Sequence, residues 1–449
     1  MKLIHTTLVL SFLFSVSAPV HAQKLNRNER RIIERVSANN EEAIHFLEKV
    51  VNINSGSLNL EGVKKVGAVF SEGFEAIGFN TEWESMPEEM NRAGHLIAKT
   101  TGAKGKKLLL IGHLDTVFEE NSPFQTFEKI NDSIALAPGG NDMKGGDVMI
   151  LYALKALKEA GVLENADIQV IFTGDEESTG KPLSISRHSL IEAAKHADIA
   201  LGYETSTGFD YATVARRGAS GWHLTTTGKR AHSSGVFSDR TGAGAIFEMG
   251  RILNAFYEEV RGEDLLTFNP GILYGGTFMN YDATTGQAEV FGKTNVVAQQ
   301  AEVRGGLRFI TEDQKERARA KMRAIVETGN LPQTSASIEF KDSYPAMPPT
   351  EGNLELLELL SEVSQDLGQG EVKAYDPGRR GAADISFAAS YVDAALGGLG
   401  SMGSGAHTPN ETVNLKTFEA LTKRTAILIY RLIQYHLVYH NGALKNNIH

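Results

Sequence analysis

The sequence predicts an α/β protein: a larger domain on a central mixed sheet, interrupted by an inserted α/β sandwich. Three observations carry this. The runs KLLLIGHLDTVF at 107–118 and ADIQVIFT at 166–173 are apolar, of strand length, and turn polar at their carboxyl ends. A helical pattern from Asp142 to Ala160 separates them, giving strand–helix–strand alternation. After about residue 215 the texture changes to a β-α-β-β-α-β order, which suggests a compact inserted unit.

In chain order, residues 27–53 predict one or two opening helices and Val63–Ala76 another, after the Asn-Ser-Gly-Ser turn at 54–57. Two short β-like runs follow, the second being Gly94–Lys99. Beyond the two buried strands, Ile199–Gly202 leads into Tyr203-Glu204. The inserted unit, 216–344, is expected to hold a strand at Gly218–Thr227 and a helix at Gly242–Arg261. Two strands within Ala288–Ile310, a helix at Thr311–Thr328 and a strand at Ser335–Phe340 complete it. The larger domain, 23–215 and 345–449, then ends in helices at 352–368, 381–392 and 415–438.

A chain of 449 residues, 41% hydrophobic and 22% charged, suffices for two domains. Its net charge of -10 argues against broad nucleic-acid binding, so no nucleic-acid partner is expected. Lys2, the apolar stretch Leu8–Val16 and Val20-His21-Ala22 before Gln23 read as a cleavable export signal over 1–22. A secreted or periplasmic protein is expected, with no stable membrane insertion once the signal is removed. There is no cysteine, so a metal site would have to use His and carboxylates.

The strand ends carry such groups: His113, Asp115, Asp142, Glu176, Glu177 and Glu204, to which His407 in GSMGSGAHTPNE is added. Open α/β sheets place ligands beyond the carboxyl ends of their strands, so these side chains are expected to converge. Imidazole with carboxylate suits Zn2+, with Co2+ or Mn2+ as alternatives. Singly, a His-X-Asp or an Asp-Glu-Glu cluster is weak evidence, because solvated turns carry the same residues.

Six motifs in order change that weight: GHLDTVF at 112–118, GGNDMKGG at 139–146, GDEESTG at 174–180, Tyr203-Glu204, KRAHSSG at 229–235 and GSGAHTPNE at 403–411. Through them the chain resembles the M20 metallopeptidases, most of all their bacterial glutamate-carboxypeptidase branch. The resemblance implies a zinc-peptidase domain with two zinc ions per subunit and an inserted domain that acts as lid and dimerisation surface. It implies that His113 and Glu204 complete one site, Glu177 and His407 the other, and that Asp142 bridges them. Glu176 would be the general base and Asp115 would hold the His113 imidazole from behind. A cis peptide just after Asp142 is also implied.

The same resemblance gives His232 an oxyanion-stabilising role, often in the partner's active site; a plain turn histidine is the alternative. Arg308 in GGLRF would grip a substrate carboxylate, although Gly306 stands where many members have Asp. Asn280 in TFMNYD either donates an amide to substrate or is a turn residue. Arg379 and Arg380, flanked by Gly378 and Gly381, either recognise an acidic side chain or face solvent. The expected activity is hydrolysis of the amide next to a C-terminal amino acid, glutamate-like or folate-like, on peptides or N-acyl amino acids, by a homodimer. An aminopeptidase or dipeptidase, an N-acyl-amino-acid deacylase and an inactive dimeric binding protein are the competing readings.

Overall fold

A computed structural model describes residues 25–434; the signal segment and the last four residues of the 415–438 helix lie outside them. The larger unit is built on a six-stranded mixed sheet. Its strands run in the order Asn80–Glu84, His95–Thr100, Ala166–Thr173, Lys104–His113, Ile199–Gly202 and Ala394–Leu396. Lys104–His113 pairs in parallel with both of its neighbours, whereas the first two strands join antiparallel.

The central strand reads as an unbroken apolar run because both faces are covered. Leu108 and Leu110 pack into a core shared with the helices Arg27–Val51, Gly145–Glu159 and Leu415–Gln434. Leu109 and Ile111 point the other way, into a core with Leu190, Ala194, Ile385 and Phe387. The residues at 27–53 form one helix, opened by a capping box in which Asn26 and Glu29 satisfy each other's backbone N–H groups.

The inserted sheet is wholly antiparallel, in the order Thr267–Gly276, Gln300–Phe309, Gly218–Gly228, Thr334–Asp342. Helices Ala245–Glu259 and Glu312–Glu327 cover one face, burying Trp222, Leu224, Met249, Phe256, Val303, Leu307 and Met322. Two chain segments lead in and out side by side, with Arg216 and Met347 exchanging both backbone hydrogen bonds.

Three elements differ from expectation. Two strands do form near Ala288–Ile310, Gln287–Phe291 and Gln300–Phe309, but only the latter joins the inserted sheet; Gln287–Phe291 pairs with Phe278–Asp282 as a separate hairpin, and Thr267–Gly276 is an additional strand of the sheet. Asn269-Pro270-Gly271 interrupts the strand pattern there; on a sheet edge, with a register shift at Pro270/Ile272, proline is tolerated. The helix expected from Asp142 starts at Gly145, because Asp142 and Met143 have non-helical backbone. The helix expected over 381–392 is reduced to one turn, Ile385–Ala388.

Candidate metal centre

Three strand ends and two loops build the site. Lys104–His113 delivers His113 at its last residue, and Ala166–Thr173 runs into Asp175, Glu176 and Glu177. Ile199–Gly202 is followed by Glu204. The Gly140–Lys144 turn, with a cis Asp142–Met143 peptide, presents Asp142. His407 comes from a turn closed by the Thr408 N–H to the Gly405 carbonyl, and has φ of 64°. A non-glycine residue in this left-handed region is strained, which is the kind of cost found where a side chain must be aimed.

Asp142 stands between the two histidines. Its Oδ1 lies 3.4 Å from His113 Nε2, and its Oδ2 lies 3.1 Å from His407 Nε2. On the outer flanks, Glu204 Oε1 is 3.4 Å from His113 Nε2, and Glu177 Oε2 is 3.3 Å from His407 Nε2. The two ends differ in depth: the His113 side chain is 1% exposed and that of His407 55%.

Two groupings hold ligand atoms close enough to share an ion: His113 with Glu176 and Glu204, and His113 with Asp142 and Glu177. Buried orphan atoms show that the residues suit a cation. His113 Nε2 and Glu177 Oε1 are both buried with no hydrogen-bond partner. Such atoms are costly unless something binds them. In the metal-free chain, burial disfavours the His113 cation, but Asp142 and Glu204 outweigh it and raise its pKa well above the ordinary value. Hydrogen bonds to Asp142 and Glu177 raise His407 to about 11. Metal uptake must displace those protons.

The surroundings set the geometry. His113 Nδ1 lies 2.9 Å from the Asp115 backbone oxygen and 3.5 Å from its carboxylate. The Asp115 carboxylate accepts from Ser57 Oγ at 2.6 Å and from the N–H groups of Glu176 and Glu177 at 2.9 and 3.1 Å. It therefore fixes the backbone that carries both glutamates. Burial, with the negative charges of Glu204 and Asp384, pushes the Glu176 carboxyl well up.

The profile described as peptidase family M20/M25/M40 matches residues 109–431, the span that contains His113, Asp115, Asp142, Glu176, Glu177, Glu204 and His407. The chain belongs to this family. Its site is that of an M20 hydrolase, with His, Asp and Glu placed for a pair of zinc or similar divalent ions. Carboxypeptidase G2 of Pseudomonas sp. (strain RS-16) is 27% identical over 407 residues, 90% of this chain and 92% of that protein. Succinyl-diaminopimelate desuccinylase of Psychrobacter arcticus is 25% identical over 276 residues, 58% of this chain and 64% of that one. The structure of aminopeptidase PepT from Bacillus cereus superposes with a TM-score of 0.68 at 18% identity, covering 88% of this chain and 99% of that chain. That likeness is one of fold.

Of the remaining candidates, only Arg380 lies beside the centre. His232 is exposed, its Nδ1 2.8 Å from Ser234 Oγ within its own turn. Arg308 is exposed on the inserted sheet, opposite Ala219 and Thr267. Asn280 sits in a strand opposite Glu289, not in a turn. Arg379 is exposed and stacks 5.4 Å over the Tyr375 ring. Arg380 is half-buried beside the centre, donating to the Thr205 carbonyl at 3.3 Å.

Other functional groups escaped the sequence reading. Arg187, fully buried, is paired with Asp175 and, at 2.7 Å, with Asp384, clamping the glutamate loop to the Ile385–Ala388 turn. The Glu411 carboxylate accepts from the N–H groups of Gly139, Asn141 and Asp142 at 3.2, 2.9 and 3.0 Å, shaping the turn that presents Asp142. Glu411 closes the motif GSGAHTPNE, so its position was visible but its task was not. Nothing in the sequence marked Arg187.

Proposed function

We propose that the protein is a two-metal exopeptidase of carboxypeptidase type, releasing a C-terminal amino acid from peptides or N-acyl amino acids. The observation that carries the reading is Asp142, flanked on one oxygen by His113 and Glu204 and on the other by His407 and Glu177. In that arrangement His113, Asp142 and Glu204 would hold one ion, and His407, Asp142 and Glu177 the other. Bound divalent ions supply Lewis acidity and lower the pKa of water.

Glu176 is the group assigned to move the proton. It stands on the loop fixed by Asp115, and its raised pKa favours a carboxylate that takes a proton and returns it to the leaving amine. The Asp115 carbonyl at 2.9 Å selects the His113 tautomer that leaves Nε2 free for a metal. The exposed His407 side gives the substrate its approach.

Similarity to Carboxypeptidase G2 along 90% of the chain supports the carboxypeptidase reading. Arg308 and Asn280, on the inserted unit, would bind substrate only when that unit closes. His232 would act from a second copy. The exposed Phe237, Ile246 and Phe247, with the two Phe rings 5.4 Å apart, are an apolar face suited to such a homodimer. Export of the chain completes the proposal.

The test is a hydrolysis screen of the zinc-loaded protein, read by mass spectrometry. N-blocked dipeptides should be cleaved, and amidation of their C-terminus should abolish cleavage. Cleavage confined to free-amine peptides would instead make the protein an aminopeptidase or dipeptidase.

A further inference from the structure

Arg216 is a buried cation with no ion-pair partner among the described residues. It is 3% exposed and lies where the chain leaves the larger unit for the inserted one. Its Nη1 donates to the Gly381 carbonyl at 3.2 Å, while Nε and Nη2 are buried without a partner. Burial, with the charge of Arg380, lowers its pKa to about 10, and Glu204, Glu176 and Asp142 are near enough to oppose this. At neutral pH it is still charged.

Arg380 approaches the same place from the other side. One of its terminal nitrogens holds the Thr205 carbonyl, next to Glu204, and its Nε is likewise buried and unpartnered. Arg217, adjacent to Arg216, donates to the Gly378 carbonyl at 3.0 Å. The two consecutive arginines therefore grip both ends of the 378–381 loop, which sets Arg380 beside Arg216. Like charges are not brought together in a protein interior without an anion to share. Glu204 and Asp142 would be committed to metal and Glu176 to the proton, which leaves the buried N–H groups of Arg216 and Arg380 without a carboxylate of their own.

We propose that Arg216 and Arg380 form an anion subsite beside the metal centre that takes a carboxylate of the substrate. A guanidinium with two free N–H directions suits a carboxylate, and a buried one discriminates strongly against a neutral isostere, whose arrival would leave it unpaired. The inference rests on the amide-hydrolase reading for its physiological meaning, but the subsite can be measured without turnover.

The experiment titrates metal-loaded protein calorimetrically with glutarate, and with butyrate and glutaramate as one-carboxylate controls. Glutarate should bind about 10- to 100-fold more tightly than either control. Arg216→Gln and Arg380→Gln should each remove most of that ratio with metal content unchanged, and Arg216→Lys should restore part of it. The half-buried Arg380 keeps the test valid where Arg216→Gln fails to fold. Absence of the ratio in the unaltered protein, or its survival in the variants, would overturn the subsite.

N-acyl dipeptides ending in glutamate, glutamine and glutamate α-amide then separate the two sources of carboxylate. Loss of selectivity for glutamate over glutamine in the variants assigns the side-chain carboxylate; loss of selectivity against the amide assigns the α-carboxylate. Equal loss on all three contradicts the proposal. If no substrate is cleaved while glutarate is still selected, the hydrolase reading fails and the subsite stands.

Discussion

The two sheets treat their polar residues in opposite ways. On the mixed sheet, His113, Asp115 and Asp175 are buried at strand ends beside groups from other segments: Glu204 at His113, Ser57 at Asp115 and Arg187 at Asp175. On the inserted sheet and its loops, His232, Asn280 and Arg308 are exposed, and the contact recorded for the His232 side chain is local. A site assembled by sheet topology is complete within one chain. Under the proposed function, residues carried on the inserted unit would need a closing motion or a second copy before they meet that site.

The comparison can be broken most directly at Glu176. Glu176→Gln should lower kcat about 10²- to 10⁴-fold while metal content stays at the unaltered level. Loss of metal in that variant would make Glu176 a ligand and redraw the deep end of the centre. His232→Ala should cost about 10²- to 10³-fold in kcat. Mixing it with the Glu176→Gln protein should restore part of the activity, because in the proposed homodimer a mixed pair would contain one intact composite site. No restoration on mixing would confine His232 to its turn.

Stability sharpens the contrast. Arg187→Met leaves Asp175 and Asp384 buried without their cation, and should destabilise by about 3–5 kcal/mol in denaturant unfolding. The corresponding cluster on the open face of the inserted sheet joins Glu302 to His223 at 2.9 Å and to Tyr274 at 2.6 Å. Glu302→Gln should cost no more than about 1 kcal/mol. Burial raises the Glu302 carboxyl, but hydrogen bonds from Tyr274 and His223 outweigh it and leave the pKa lowered. Its contribution is therefore present above the unfolded pKa, about 4.3, and is lost as pH falls through the lower folded value. Stability of the Glu302→Gln variant relative to the unaltered chain should converge in that acid window.

The legibility of the sequence follows the same division. The buried strands announced themselves because burial on both faces demands uninterrupted apolar runs, and their polar ends pointed to His113, Glu176, Glu177 and Glu204. Asp142 was identified by its motif, but the turn that aims it was read as helix, since glycine-rich backbone carries no periodicity. The edge strand at Thr267–Gly276 was hidden by Pro270 and its glycines, which only an edge tolerates. Arg187, Arg216 and Glu411 were not legible because their work is done by partners far away in sequence: Asp384, Gly381 and the 139–142 turn. An isolated arginine or glutamate in sequence looks like surface.

The central claim is that Asp142 lies between two metal positions, each with its own histidine. Metal content after dialysis, measured by elemental analysis on the unaltered protein and on His407→Ala, tests it most directly. The account predicts about two ions per chain falling to about one, with the ion held by the deep His113 end retained. One ion per chain in the unaltered protein, or loss of both on removing the exposed His407 alone, would contradict it.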